Sequence, residues 1–315
     1  MTIQYQDIET GAAFDITELV SAAKWTTVRR GSPAKLELTV LDTPDVTWTL
    51  GGIVTYLEDG AGRFYGYVFR ISRSQEGTVE ITAYDQTRYL KNQDTYVFQD
   101  LRADEILRQI AEDYALQVGE LPNTGAPIAS LVADRKALFD IVLEALDRTL
   151  TGGGAMFYLW DDFGTLQLSQ VALPKELPVV GEGSLATGFT HERSIDGETY
   201  DRVEMVREDE ESGRRQVYAA QDDAAITRWG VLKLQEDADE GLAPEEIRAR
   251  CQELLDFYDR PEETLSLSAL ALPGLRAGQV IFCDLPGSGI QQAFLVEEAA
   301  QDLMEETMEL KVKVV

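Results

Sequence analysis

Leu36-Glu37-Leu38-Thr39-Val40 alternates apolar and polar side chains, and Val79-Glu80-Ile81-Thr82-Ala83 does the same. Strict period two is the pattern of a strand with one face on a core and the other in water. Between these runs lie Gly51-Gly52 before the apolar run 53–57, then the turn Asp59-Gly60-Ala61-Gly62, then residues 64–71, rich in aromatic and β-branched side chains, and the turn Gln75-Glu76-Gly77. Strands this closely spaced, with turn residues between them, predict a small antiparallel barrel or sandwich over residues 1–95.

The same punctuation returns near the C-terminus. Residues 264–269, 279–284, 293–298 and 308–314 read as strands. Gly278-Gln279-Val280 lines up with Gly52-Ile53-Val54, and Ala293-Phe294-Leu295 with Tyr67-Val68-Phe69. Identity is too low to prove duplication, but the shared order raises an internal repeat.

Between these regions the period changes. Asp100 is placed to cap a helix whose apolar face is Ile106, Leu107, Ile110, Ala111 and Tyr114. A second helix is expected after Asp134, with Leu138, Ile141, Val142, Ala145 and Leu146 inward and Gly152-Gly153-Gly154 ending it. Asp161-Asp162-Phe163-Gly164 reads as a hairpin turn. Residues 199–206 and 215–219 read as strands around Glu211-Ser212-Gly213, and a helix starts at Pro244. The expected fold is mainly β with an α+β insertion. Its parts are a first barrel over 1–95, an α+β domain over 96–190, a second barrel from 191–230 with 262–315, and a helical insertion over 231–261.

The 315 residues hold 56 acids against 28 Lys and Arg, a formal charge of −28. A field of that sign disfavours binding driven by phosphate neutralisation. The excess is uneven: residues 1–95 carry −4 and residues 192–263 carry −12. No window is apolar enough to cross a membrane, and the N-terminal residues lack the pattern of a secretory signal. Cys251 and Cys283 are too few for a disulfide scaffold or a four-ligand zinc site, and read as small buried hydrophobes.

The search for chemistry returns little. His191 is the sole histidine, and no nucleophile elbow or phosphate-cradling glycine loop accompanies it. The carboxylate pairs Asp161-Asp162 and Asp222-Asp223 are the remaining enzymatic candidates, since a glycosidase needs two acids across a cleft. Adjacent acids are ordinary in so acidic a chain. Tyr96, Phe98, Trp160, Trp229 and Tyr258 lie near element ends and are read first as core. No catalytic, cofactor-binding or metal-binding residue is assigned, and a structural role is the better reading.

Several stretches nevertheless carry a resemblance. Gly31-Ser32-Pro33-Ala34-Lys35-Leu36, Gly66-Tyr67-Val68-Phe69 and the run Ile81-Thr82-Ala83-Tyr84-Asp85-Gln86-Thr87-Arg88-Tyr89-Leu90-Lys91-Asn92 are three of them. Ser194-Ile195-Asp196, Thr199-Tyr200-Asp201-Arg202-Val203 and Trp229-Gly230 follow in order. Together they resemble the XkdQ/YqbQ family of prophage tail proteins, from about residue 25 onward. The resemblance implies the central baseplate hub of a contractile tail, whether of a phage or of a phage-tail-like bacteriocin. Such a hub is a homotrimer in which each chain supplies two similar barrels, so that a pseudo-sixfold ring joins a sixfold tail tube to a threefold spike. Its implied partners are further copies of itself, the tail tube protein, the spike protein, and baseplate wedge or LysM-type tail proteins. It would be made in the bacterial cytoplasm and end in the particle. Neither membrane nor specific nucleic-acid binding is implied, although DNA could pass through the lumen. The runs 36–40 and 265–269 are the expected edge strands, and an acidic lumen wall that repels phosphate is expected. The alternatives are a tail peptidoglycan hydrolase using a carboxylate pair, and a carbohydrate-binding β-protein with an aromatic cleft.

Overall fold

The computed structural model describes residues 1–209, 214–238 and 242–314. Two compact units are present: Met1–Thr190 with Leu265–Val315, and His191–Thr264.

The first unit opens with β1 (Thr2–Gln6), β2 (Ala13–Asp15), β3 (Val20–Val28), β4 (Lys35–Leu41), β5 (Ile53–Glu58), β6 (Ala61–Arg73) and β7 (Thr78–Tyr84). An insertion follows: β8 (Gln93–Leu101), α1 (Ala103–Asp113), β9 (Ile128–Ala137), α2 (Leu138–Thr151), β10 (Phe157–Asp162) and β11 (Thr165–Gln170). Next come β12 (Val179–Gly181) and β13 (Ala186–Ser194). The second unit holds β14 (Arg202–Asp209), β15 (Arg214–Gln221), α3 (Asp223–Trp229), β16 (Lys233–Asp237) and α4 (Pro244–Tyr258). The chain ends with β17 (Glu262–Leu270), β18 (Val280–Leu285), β19 (Ile290–Asp302) and β20 (Thr307–Val314).

The repeat is real at the level of strand pairing. In the first half the hydrogen-bonded order is β4-β7-β6-β5, and in the second it is β17-β20-β19-β18. The correspondence extends to details. Gly51 N–H donates to Val68 O, and Val68 N–H to Gly52 O; Gly278 N–H donates to Val296 O, and Val296 N–H to Gln279 O. Gly51 and Gly278 both take a left-handed φ, +81° and +92°, which a side chain would strain. Each long strand carries a bulge at the matching place, skipping Phe69 between Val68 and Arg70 in β6 and Glu297 between Val296 and Glu298 in β19. The core faces also match: Leu36, Leu38 and Val40 answer to Leu265, Leu267 and Ala269, and Val79, Ile81 and Ala83 to Met308, Leu310 and Val312. The pairing corrects the alignment expected from sequence. Tyr67-Val68-Phe69 stands against Leu295-Val296-Glu297, two residues further along than punctuation suggested, and Ile53 stands against Val280. Bulges and cross-strand bonds set this register, and neither is visible in a single strand's pattern.

The halves do not form separate sheets. β3 pairs with β4 on one side and with β19 on the other, joining both repeats into one sheet ordered β13-β17-β20-β19-β3-β4-β7-β6-β5-β1-β2. This order is open, and no strand pairing closes either half into a barrel among the described residues. Each half keeps its own core: Tyr5, Trp25, Tyr56 and Phe64 lie in the first, and Val180, Leu285 and Phe294 in the second.

The insertion packs α1, α2, the β8–β9 ribbon and the β10–β11 hairpin around Phe98, Ile106, Leu107, Ile110, Leu131, Ile141 and Val142. Two expected caps move. Asp100 lies in β8 with a left-handed φ of +52°, and α1 begins after Arg102, whose N–H donates to Glu105 Oε2 at 2.9 Å. Asp134 lies within β9, and α2 begins after Ala137. The Asp161–Gly164 turn forms as expected, with Phe163 and Gly164 both at positive φ.

Residues 199–219 also differ from expectation. They form no strand of the repeat sheet: β14 pairs with β15 and β16 in a separate three-stranded sheet. That sheet packs Val203, Met205 and Tyr218 against Ile247, Cys251, Leu254 and Leu255 of α4. The expected turn Glu211-Ser212-Gly213 lies outside the described residues. No helix is long and apolar enough to cross a membrane among the described residues.

Candidate assembly face and sheet edges

The seam between the repeats shows how one repeat meets the next. Residues 298–302 of β19 run antiparallel to residues 24–28 of β3, from Glu298↔Val28 to Asp302↔Lys24. The bulge beside this stretch faces its carboxylate toward β3. Arg29 Nε donates to Glu297 Oε2 at 2.9 Å and Nη2 to Oε1 at 2.8 Å, while Arg29 N–H donates to Glu297 O at 2.9 Å. Both side chains are largely buried, so this bidentate pair is a clamp with fixed geometry.

The first repeat has the same stretch with no strand across from it among the described residues. Residues 70–73 of β6, equivalent to 298–301, pair with β7 and with no other strand among the described residues; β5 pairs with residues 61–67. At the other end of the order, β13 pairs with β17, helped by Leu270 N–H donating to Leu185 O. Its far side has no strand among the described residues. By position before β17, β13 is to the second repeat what β3 is to the first. The expected edges at residues 36–40 and 265–269 are therefore wrong: β4 lies between β3 and β7, and β17 between β13 and β20. Period-two alternation marks a strand but says nothing about its neighbours.

The sheet face turned away from both cores carries Lys24, Lys35, Arg70, Lys311 and Lys313 against Glu37, Glu80, Glu298, Asp302 and Glu309. Lys35 pairs with Glu37 at 2.9 Å and Lys311 with Glu298 at 2.8 Å. A groove of about 460 Å³ crosses this face over the seam, lined by Lys24, Lys35, Lys311, Glu37, Glu298 and Glu309. The face is balanced in charge although the chain carries −28.

The enzymatic candidates separate on inspection. Asp222 caps α3, its Oδ1 accepting from Ala224 N–H at 2.7 Å and Ala225 N–H at 3.3 Å, and those bonds hold its carboxyl below the usual range. Asp223 accepts from Gln221 Nε2 at 2.7 Å. This pair is helix-terminal chemistry. Asp162 ends β10 exposed, while Asp161 is buried and accepts from Gln86 Nε2 at 2.9 Å and from Gly164 N–H at 2.8 Å. Its buried acidic neighbour is Asp85, which sequence reading passed over inside the stretch 81–92. Arg276 lies beside them. The space these three line is about 20 Å³, far too small for a sugar ring.

His191 lies in β13, its Nε2 3.9 Å from Glu263, which also pairs with Arg193 at 2.7 Å. Cys251 and Cys283 are buried, and burial pushes both thiols up. Phe98 is core, and Trp160 lies under Arg276, 4.0 Å from the ring centroid. Tyr96 is bonded to Asp113 at 2.7 Å, Tyr258 packs on Tyr200, and Trp229 packs on Arg228. Among the described residues no three His, Cys, Asp or Glu are grouped as metal ligands.

Comparison with known proteins agrees with the fold. The "YQBQ-like" family model matches residues 23–313. The chain is 29% identical over 276 residues to the phage-like element PBSX protein XkdQ of Bacillus subtilis strain 168, covering 85% of this chain and 84% of that protein. Among solved structures it is similar to the tail protein from Neisseria meningitidis MC58, with TM-score 0.71 and 12% identity over 99% of this chain and 96% of that one. The 43 kDa tail protein of prophage MuSo2 from Shewanella oneidensis gives TM-score 0.70 and 13% identity, covering 99% and 98%. At such identity the structural likeness is one of fold. The family match spans nearly all of the repeated sheet and both insertions: the chain belongs to the YQBQ-like family.

Proposed function

We propose that this chain is a structural component of a phage-type tail, the baseplate hub, in which three copies close a pseudo-sixfold ring between tail tube and spike. The observation that carries the reading is the seam. One chain holds two repeats and joins them through β19 and β3, while the matching stretch of β6 and the far side of β13 have no strand beside them among the described residues. A head-to-tail contact of β6 with β13 of the next copy repeats the internal seam between chains. The resemblance supplies the copy number of three and the barrel-like closure of each half. It also supplies the partners: the tube protein, the spike protein, and wedge or LysM-type tail proteins. Assembly in the bacterial cytoplasm belongs to the same reading.

The balanced face would line the lumen. Paired lysines and glutamates neither grip nor strongly repel a phosphate backbone, so passage without sticking needs no acidic wall. The peptidoglycan-hydrolase reading is weaker, since Asp161 faces a space too small for a sugar and Asp222 is engaged in a cap.

Cross-linking tests the contact. The double variant Ser72→Cys, Thr187→Cys places one thiol on β6 and one on β13; the native cysteines are buried and inert to such reagents. A short bismaleimide should give a ladder that ends at three copies. Absence of inter-chain products, or a ladder running on without limit, contradicts the ring.

A further inference from the structure

Three segments far apart in sequence converge beneath the insertion. Asp85, Gln86 and Thr87 follow β7, Asp161 lies in β10 of the insertion, and Arg276 precedes β18 in the second repeat. Asp85 accepts from Thr87 N–H at 3.1 Å and from the Thr87 hydroxyl. Gln86 ties the insertion down twice: Nε2 donates to Asp161 Oδ2 at 2.9 Å and to Gln117 O at 3.2 Å, and Oε1 accepts from Gln117 N–H at 3.0 Å. Arg276 Nη2 donates to the Asp161 main-chain oxygen at 3.0 Å, and its guanidinium stacks on Trp160. Asp85 and Asp161 both line the same space of about 20 Å³ with Arg276, room for about one water molecule.

Two buried carboxyls thus line one small space with a single half-buried guanidinium. With both ionised, one buried negative charge has no counter-charge, which burial strongly disfavours. The pair avoids that cost by holding a proton. We propose that Asp85, Asp161 and Arg276 form a proton-sensitive joint that fastens the insertion to the joined sheet and loosens as pH rises.

The charged and titratable groups around the joint come from every element that meets there. They are Asp162 beside Asp161, the Tyr67 phenol from β6, the Tyr158 phenol from β10, and Arg276 itself. Burial raises both carboxyls above the usual carboxylate range, Asp161 adds to the rise at Asp85, and Arg276 opposes it at both. A carboxyl raised in the closed joint binds its proton more tightly than in the opened one. The stabilisation is complete in acid and is lost as pH climbs from the ordinary carboxylate range through the raised value. Opening then grows by up to about tenfold per pH unit for one proton released.

Hydrogen exchange of the full chain at pH 6, 7, 8 and 9, corrected for intrinsic amide rates, tests this. Amides of residues 157–170 should lose protection by up to about tenfold per pH unit, while those of Val203 and Met205, in the other unit, stay level. Asp85→Asn should flatten the slope, and so should Asp161→Asn if the first variant folds poorly. A flat profile in the unsubstituted chain overturns the joint. So does a slope undiminished by either substitution, or one shared equally by the control amides.

Discussion

Glu306 occupies a turn position that its counterpart in the first repeat gives to glycine. Four residues link β6 to β7 and four link β19 to β20. Gly77 and Glu306 close these turns at φ +74° and +51°. Each carbonyl accepts the matching bond, Asp42 N–H to Gly77 O at 2.9 Å and Ala271 N–H to Glu306 O at 2.8 Å. A side chain in the left-handed region costs about 1–2 kcal/mol, and a glycine gives back about 0.4–1 kcal/mol through its freer unfolded state. Glu306→Gly should therefore stabilise the repeat unit by a net 0.5–1 kcal/mol, roughly, which is a rise of about 1–4 °C in melting temperature. Gly77→Ala should cost about 0.5–1 kcal/mol for the mirrored reason. Urea titrations followed by tryptophan fluorescence measure both, since Trp25 and Trp48 lie in the first core. Loss of stability in Glu306→Gly together with a neutral Gly77→Ala would refute the equivalence of the two turns.

Other outcomes follow from the seam and the charge. Arg29→Ala should destabilise by about 1.5–3 kcal/mol, because Glu297 loses a charge-assisted bidentate partner in a largely buried place; a denaturation midpoint unchanged within error contradicts the clamp. A chain of charge −28 repels its copies, so light scattering should find the assembled fraction rising with added salt; a fraction that falls would contradict this. Purified chain should leave a peptidoglycan gel intact. Clearing that disappears in Asp161→Asn or Asp222→Asn would restore the hydrolase reading.

The strands of both repeats were legible because Leu36–Val40-type alternation and glycine turns are local signals. So were α4, announced by Pro244, and the Asp161–Gly164 turn. What failed was relational. The two-residue error in aligning the long strands arose because a bulge at Phe69 or Glu297 leaves no mark in composition. The edges were misassigned because β3 and β13, which cover β4 and β17, are polar on one face and short on pattern. The β8–β9 ribbon was missed because Asp100 and Asp134 look like caps while serving in strands. Asp85 was overlooked because its partners, Asp161 and Arg276, arrive from 75 or more positions away, and only their burial together gives the acid its meaning.

An image of the assembled ring tests the central claim most directly. Cryo-electron microscopy should show three chains, the outer side of residues 70–73 paired with β13 of the neighbour, and that contact superimposable on the β19–β3 seam within each chain. A ring of another copy number, or one in which β6 and β13 remain uncovered, would contradict it.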